Sequence, residues 1–372
     1  MAYTNIDDPS AHFQVFTYTG NGSHPRNLTN DGNSDLKPDL VWIKNRTDNG
    51  TDNVLANSTM GFDAPNAPNG GGQLSTNSSG GVNVPPSTYG YVSAALTNGF
   101  TAAAGGTNGD TANANGKEFV AWQWKANGGT TVSNTDGSIT TTVQANPTAG
   151  FSIVFYTGNG IQTGETVGHG LSAVPKMIIS KDRDSTSNVP TWRVYHEAIG
   201  ATKYLQMPQT DAESTFDDWD NTTPTSSVYS VGGSSGYTPA NTSNTEYIAY
   251  VFADVQGYSK FGSYVGNGNS NGPFVYTGFK PAWVLIKGAD VVDDWYIFDN
   301  KRAGYNPEVF RLRANTTGAE VTGTNNTVDH LSNGFKLRFT GGSINGSGST
   351  YIYMAFAENP FTTSTGIPTT AR

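Results

Sequence analysis

Three short segments carry apolar side chains at every second position, which is the period of a β-strand. They span residues 119–124, 247–252 and 351–356. When the segments are aligned, one alternating set of each contains Val120, Trp122 and Trp124, then Ile248, Tyr250 and Phe252, then Ile352, Met354 and Phe356. Alternate residues of a strand share a face, so these nine side chains predict one core-facing side for each strand.

A second pattern recurs upstream of each of these segments. A proline begins a mostly apolar run that reaches a lysine, from Pro38 to Lys44, from Pro175 to Lys181 and from Pro281 to Lys287. Apolar residues on both alternating sets are typical of strands that are covered on both faces. We therefore expect central strands, with Val41, Ile178 and Val284 at equivalent buried positions and Trp122, Tyr250 and Met354 likewise.

A turn pattern precedes each of these runs and completes a repeated order. Gly-Asn-Gly stands at residues 20–22, 158–160 and 266–268, and Asn-Gly favours the positive φ of tight turns. Because the three patterns recur in the same order, the sequence predicts an all-β chain of three tandem β-sandwich or jelly-roll-like repeats. Repeat 1 is expected at residues 1–126, repeat 2 at 150–254, and repeat 3 with a C-terminal tail at 255–372.

Two polar segments separate these patterns. Residues 63–87 are rich in Gly, Asn, Pro and Ser, which predicts a long loop inserted in repeat 1. Residues 127–149 are interpreted as a linker between repeats 1 and 2, with a short strand at 138–143.

Composition and charge narrow the class of protein. The chain has 45 Gly and 18 Pro with only 14% charged residues, as expected for strands joined by many turns. A net charge of −9, with Lys and Arg dispersed, argues against nucleic-acid binding. The absence of cysteine excludes disulfides and thiolate metal sites. Without a secretory signal pattern or a long apolar run, we expect a soluble chain with no membrane insertion.

The sequence shows no catalytic motif. His12, His24, His169, His196 and His330 are scattered, with no pair at metal-ligand spacing. The Gly-Asn-Gly turns lack the Lys-Ser/Thr and the helix of a phosphate-binding loop, and no Gly-x-Ser-x-Gly elbow occurs. We interpret the histidines as polar or packing residues and expect no enzyme activity, no cofactor and no metal.

Two acidic segments, residues 217–220 and 290–294, leave two chemical alternatives open. Closely spaced carboxylates are suited to a calcium loop or to the paired acids of a glycosidase. The favoured interpretation is a solvated turn before a buried tryptophan.

Aromatic residues in turn-like surroundings are the best binding candidates, because a flat ring on a polar surface can stack on a sugar or fill a partner's pocket. The candidates are Tyr89, Tyr91, Trp219, Tyr237 and Tyr305. A structural role in packing is nevertheless the favoured interpretation for each of them.

Several segments resemble a family of repeat proteins encoded by marine tailed bacteriophages. The resemblance lies in residues 1–10, the turn at 18–23, Trp42-Ile43-Lys44-Asn45-Arg46, Val167-Gly168-His169-Gly170-Leu171 and residues 351–358. It implies a virion surface protein of tail-fibre or fibre-like type that contributes to host-surface recognition and is made in the host cytoplasm. It supplies no catalytic residues.

The resemblance also implies partners and assembly. Other virion proteins, and a glycan or protein of the host cell surface, are the expected partners. A capsid decoration or head-fibre protein without receptor binding is the alternative function, and a glycan-degrading enzyme is a third. Exposed sheet edges predict a homo-oligomer, because packing of copies around a symmetry axis covers them. The resemblance to viral surface proteins favours a trimer.

Overall fold

A computed structural model describes residues 2–62, 72–82, 89–105, 111–184 and 192–369. Within these ranges the chain is all-β and forms several separate sheets, as the alternating patterns predict. The insertion predicted at 63–87 lies partly outside the described residues. None of the helices in the described part of the chain is long and apolar enough to cross a membrane.

The first part of the chain forms a larger and a smaller antiparallel sheet. Its strands are β1 (Phe13–Thr19), β2 (Arg26–Leu28), β3 (Leu40–Asn45), β4 (Val54–Asn57), β5 (Gln73–Leu74), β6 (Tyr91–Leu96), β7 (Gly99–Ala103) and β8 (Glu118–Trp124). The first large sheet has the order β1-β8-β3-β4-β5, and the small sheet has the order β2-β7-β6.

The middle of the chain forms the second large sheet. Its strands are β9 (Val132–Asn134), β10 (Thr141–Asn146), β11 (Phe151–Thr157), β12 (Glu165–Gly168), β13 (Met177–Asp182), β14 (Trp192–His196), β15 (Lys203–Tyr204), β16 (Ser214–Thr215), β17 (Val228–Val231) and β18 (Glu246–Phe252). The large sheet has the order β14-β13-β18-β11-β10-β9, and β12-β17 and β15-β16 are separate pairs. The segment 127–149 supplies β9 and β10 to this sheet.

The last part of the chain forms the third large sheet. Its strands are β19 (Ser259–Val265), β20 (Phe274–Tyr276), β21 (Phe279–Gly288), β22 (Trp295–Asp299), β23 (Leu312–Arg313), β24 (Val328–Leu331), β25 (Gly334–Leu337) and β26 (Thr350–Pro360). The large sheet has the order β19-β26-β21-β22-β23, and the small sheet has the order β20-β25-β24. A short helix, α1 (Gly342–Asn345), precedes β26.

The strands that begin near the three prolines pair with the closing strands in a shared register. Trp42 lies opposite Trp122, Ile179 opposite Tyr250, and Leu285 opposite Met354. All of β3 is buried, and so are β13 from Met177 to Lys181 and β21 from Pro281 onward. The prediction that these strands are covered on both faces is therefore confirmed.

One face of every large sheet lies in a single central core. The nine side chains predicted for this face all belong to it. The indole of Trp283 in the third sheet lies 6.2 Å from that of Trp122 and 5.7 Å from that of Trp124 in the first sheet, measured between ring centroids. Phe252 of the second sheet lies 6.0 Å from Phe356 of the third. The three large sheets thus bury one face each against the other two.

The opposite face of each large sheet packs under a small sheet. Val41, Ile178 and Val284 are fully buried there, in three separate clusters. In the first cluster Phe100 and Ala102 of β7 cover Val41, and in the third Phe335 and Leu337 of β25 cover Val284. Each large sheet therefore lies between its own outer cluster and the central core.

The three Gly-Asn-Gly turns lie on buried asparagines. Gly22, Gly160 and Gly268 have φ values of 71°, 77° and 64°, which confirms the predicted tight turns. The main-chain N–H of the turn asparagine donates to a side-chain oxygen of Asn113 (3.1 Å), Asn241 (3.0 Å) and Asn345 (2.9 Å), respectively. These three asparagines are a further repeated feature.

The lysines at the ends of the three central strands connect the sheets in a cycle. Lys44 Nζ donates to the carbonyl of Thr316 at 2.7 Å, Lys287 Nζ to that of Thr210 at 3.2 Å, and Lys181 Nζ to that of Ser79 at 3.1 Å. The first sheet thus contacts a loop of the third, the third a loop of the second, and the second a loop of the first.

A second donor beside each lysine strengthens the same cycle. Asn53 Nδ2 donates to the carbonyl of Ala314 at 2.8 Å. Trp192 and Trp295 lie opposite Lys181 and Lys287 in their sheets, and their indole N–H groups donate to Ser78 O at 3.0 Å and Gln206 O at 3.1 Å. At least two hydrogen bonds therefore cross each of the three junctions.

The N-terminal segment also packs on the third sheet. Tyr3 donates its hydroxyl hydrogen to the carbonyl of Gly278 at 2.6 Å, and the main-chain N–H of Ser364 donates to Asp7 at 2.6 Å. These contacts place the residues before β1 against the loop between β20 and β21 and against the chain that follows β26.

We predict that Trp283→Ala lowers the free energy of unfolding of the whole chain by about 3–5 kcal/mol, because it opens a cavity among the rings of two sheets. Chemical denaturation followed by tryptophan fluorescence measures the loss. Val292→Ala is the control, since Val292 is 68% exposed and its truncation should change stability by less than about 0.5 kcal/mol. Equal effects of the two substitutions would contradict a shared core.

We also predict that stability rises with pH between about 7.5 and 9, below the range in which the tyrosines of the unfolded chain release their protons. Burial lowers the pKa of Lys44 to about 7 and the pKa values of Lys181 and Lys287 to about 8. In this interval the unfolded chain binds more protons than the folded chain, so the free energy of unfolding increases with pH. Lys287→Met should show a shallower increase than the parent chain in denaturation series at several pH values. Lys117→Met, at a partly exposed lysine, is the control. If the free energy of unfolding rises as steeply with pH in Lys287→Met as in Lys117→Met, the lowered pKa of Lys287 does not cause the rise.

Candidate functional site

Three of the five aromatic candidates lie on the surface. Tyr305 is 67% exposed, Tyr89 is 56% exposed and Tyr237 is 43% exposed. Tyr237 packs its ring against Phe216 and lies beside Arg193, whose Nη2 is 3.4 Å from the tyrosine hydroxyl. Tyr305 has the most exposed ring of the five.

The other two candidates are buried, which corrects the expectation of exposed rings. Tyr91 begins β6 opposite Ala103 and is 7% exposed. Trp219 lies in a short 3-10 helix, is 1% exposed and packs edge-on against Tyr195 and Tyr229. Turn-like neighbours in the sequence do not show which way a ring points. The Trp219 ring lies in a buried cluster, and the Tyr91 ring packs beside the imidazole of His24.

The acidic segments serve the fold. Asp218 is buried, faces Arg193 Nε at 3.4 Å, and burial raises its pKa to about 6, so the expected solvated turn is wrong at this residue. Asp290 accepts the main-chain N–H of Thr350, and Asp293 accepts the hydroxyl hydrogen of Tyr296. Trp219, within the first segment, and Trp295, directly after the second, are both buried. This agrees with a turn before a buried tryptophan and not with the exposed ring expected at Trp219. Among the described residues no cluster of His, Asp and Glu could hold a metal ion.

Tyr305 lies on a loop whose first residues are held in place by the buried Arg302. Arg302 Nε donates to Asp299 at 2.7 Å, its Nη1 donates to Glu320 at 2.9 Å, and its Nη2 donates to the carbonyl of Ile297. Burial alone would lower the pKa of Arg302, but the surrounding carboxylates outweigh it and raise the pKa. Three directed, charge-assisted bonds hold the start of this loop in one position.

The same carboxylates bind the first sheet. Trp122 donates its indole N–H to Asp299 at 3.0 Å. Arg46 makes a two-point contact with Glu320, with N–O distances of 3.0 and 2.8 Å. The loop that carries Tyr305 is therefore supported by the junction between the first and third sheets as well as by its own sheet.

A cavity of about 80 Å³ opens beside Tyr305. The residues that line it are Lys280, Asn300, Gly304, Tyr305, Asn306, Glu308 and His330. Asn306 joins the two sides of this site, since its side chain donates to the carbonyl of His330 at 2.8 Å and accepts the main-chain N–H of the same residue at 2.9 Å. The main-chain N–H of Glu308 donates to the carbonyl of Val328, which holds Glu308 beside this site. The chain thus brings together residues that are distant in sequence.

Two buried titratable groups give this cavity its chemistry. Burial raises the pKa of Glu308 to about 7, although Arg302 partly opposes the rise. Burial lowers the pKa of His330 to about 4, so the imidazole is neutral at neutral pH. The Nε2 atom of His330 is buried and has no hydrogen-bond partner in the described part of the chain. The Glu308 carboxyl already accepts the main-chain N–H of Phe310 at 2.8 Å, so Nε2 of His330 is the atom that a polar ligand can satisfy here.

Sequence reasoning identified Tyr305 but missed Arg302, Glu308 and His330 as parts of one site. His330 was interpreted as a polar or packing residue, and its burial agrees with that interpretation. The spacing of Glu308 and His330 matches no motif, because a β-bridge between Glu308 and Val328 brings them together.

We predict that Glu308→Gln makes the free energy of unfolding depend less on pH between about 5 and 8. The raised pKa means that folded Glu308 keeps a proton that the unfolded chain has released, so stability falls as pH rises through this interval. The neutral amide removes this fall. Thermal unfolding at several pH values measures the effect, with the exposed Glu118→Gln as the control. A fall in stability as large in Glu308→Gln as in the parent chain would contradict the prediction.

Comparison with known proteins places this architecture in a family. No curated protein and no solved structure matches the chain. A family model described as a domain of unknown function, DUF7483, matches residues 8–360. The match includes strands of all three large sheets and the loop that carries Tyr305. The chain belongs to the DUF7483 family.

Proposed function

We propose that this chain is a bacteriophage virion surface protein, of tail-fibre or fibre-like type, that binds a host-surface glycan beside Tyr305. One observation carries the glycan part of the proposal: a highly exposed tyrosine ring adjoins a cavity lined by carboxyl, imidazole and amide groups. An exposed ring can stack on the apolar face of a sugar, while a few placed polar groups bind its hydroxyls.

The support beneath the loop favours binding by a preformed site. Arg302 is wholly buried among Asp299, Glu320 and Ile297. A loop that is already ordered loses little conformational entropy when a ligand binds, which raises affinity. The virion part of the proposal rests on the sequence resemblance.

We further propose that the chain contains three copies of one β-sandwich, each made of a large sheet and the small sheet over it. The shared register, the three asparagines beneath the Gly-Asn-Gly turns and the cyclic lysine contacts support this division. In each copy, the face of the large sheet that is turned away from its small sheet would be the surface through which the copies pack together.

A capsid decoration or head-fibre protein is the second candidate. The observation that favours it is the cyclic arrangement of three similar sheets, since a body of this kind is suited to a threefold position on a particle. Antibody labelling of intact virions separates the two: label over the head would contradict a tail fibre, and label confined to the tail would contradict decoration. The predicted homotrimer stays a prediction that light scattering can test.

Binding is favoured over cleavage because Glu308 is the one carboxylic acid among the described residues that line the Tyr305 cavity. Glycosidases that use acid catalysis need a pair of carboxyl groups on either side of the scissile bond. If the protein lowers the mass of a host envelope polysaccharide on incubation, this part of the proposal is wrong.

We predict that Tyr305→Ala weakens glycan binding by at least about thirty-fold, which corresponds to the roughly 2 kcal/mol of an aromatic hot spot. The measurement is binding of labelled protein to an array of bacterial envelope polysaccharides and oligosaccharides. Tyr237→Ala is the matched control, because it removes another exposed tyrosine far from the cavity lining. The proposal fails if Tyr305→Ala binds as the parent chain does, or if Tyr237→Ala alone loses binding.

A further inference from the structure

A second cavity, of about 180 Å³, lies at the junction of the first and third large sheets. Its floor is apolar and includes Phe13, Val15 and Ala282, while its walls carry polar side chains. The walls include Gln14, Asp31, Asn33, Lys301 and Asn359. This cavity is separate from the one beside Tyr305, and no contact described above requires it for the fold.

The two cavities adjoin each other. Asn300 lines both of them. Lys280 lines the Tyr305 cavity, Glu358 lines the second cavity, and these two residues form an ion pair at 2.7 Å. The main-chain N–H of Asn300 donates to the carbonyl of Ala282 at 2.9 Å, which fixes the backbone at the boundary. The two cavities therefore share a border at Asn300 and at the Lys280–Glu358 ion pair.

The charges along both cavities are largely compensated. Lys301 pairs with Asp31 at 3.2 Å across the junction, and Lys280 pairs with Glu358. An anionic or cationic ligand would have to compete with these pairs. The Gln14 amide is already bonded to the main chain of Ser10, Gly32 and Ser34. The amides of Asn33 and Asn359, with the apolar floor, instead provide what an uncharged sugar needs, namely hydrogen bonds to hydroxyls and contact with C–H groups.

We infer that the two cavities form one groove for an uncharged oligosaccharide, with one sugar beside Tyr305 and the following sugars in the second cavity. The inference rests on the proposed glycan binding and adds the ligand's charge and minimum length. Asn300 lies at the link between the two subsites, where its amide can bind hydroxyls on either side.

The test uses the full chain and an array of neutral gluco-, manno- and galacto-oligosaccharides, from monosaccharide to hexasaccharide, with uronic-acid counterparts. For the sugar type that binds, the trisaccharide should bind at least about ten-fold more tightly than the monosaccharide. Asn33→Trp, which obstructs the second cavity at an exposed position, should remove this length advantage and leave monosaccharide binding unchanged. Asn325→Trp is the matched control at an exposed asparagine outside both cavities.

The outcomes separate this inference from the proposed function. Equal affinity for monosaccharide and trisaccharide, a length advantage that survives Asn33→Trp, or tighter binding of the uronic-acid series would overturn the groove while leaving glycan binding at Tyr305 intact. If no saccharide binds, the proposed function fails and the groove fails with it. If Tyr305→Ala abolishes binding at every length and Asn33→Trp abolishes only the advantage of longer chains, both stand.

Discussion

The burial of three sheet faces against one another is the interaction on which the rest of the structure depends. Each large sheet has an outer face under a small sheet and an inner face of large aromatic and aliphatic side chains, such as Trp122, Tyr250 and Phe356. An exposed face of that kind would be a large apolar patch, which monomeric proteins avoid. Because each inner face is covered by the other two, the core forms only when all three sheets are in place.

Polar contacts around this core determine how the sheets are placed. Apolar packing has little directional preference, whereas the bonds from Lys44, Lys181 and Lys287 to particular carbonyls require one arrangement. Removing a charged ammonium group from water has a cost, which appears as the lowered pKa of each lysine. The hydrogen bonds among Arg46, Glu320 and Arg302 likewise require one arrangement of the first and third sheets at the junction that supports Tyr305. The candidate site is thus a consequence of how the sheets meet.

The sequence predicted the features that depend on local periodicity. Alternation identified the core face of β8, β18 and β26, and apolar runs identified strands that are buried on both sides, because both patterns record burial directly. It could not show that the three faces would meet in one core, since alternation indicates burial and not its partner. Nor could it find the acceptors of the lysines, because Thr316, Ser79 and Thr210 lie in loops without a shared pattern.

The candidate site was predicted only in part for similar reasons. Tyr305 was identified by its turn-rich neighbourhood, but the same signal wrongly suggested exposed rings at Tyr91 and Trp219, because loop composition carries no information on ring direction. Glu308 and His330 meet through a β-bridge between segments that are distant in sequence, so no spacing rule could pair them.

Scanning calorimetry of the full chain tests the shared core most directly. If three sheets depend on one core, the chain unfolds in a single transition whose calorimetric and van't Hoff enthalpies agree. Separate transitions, or a calorimetric enthalpy several times the van't Hoff value, would show that the sheets unfold independently and would contradict this account.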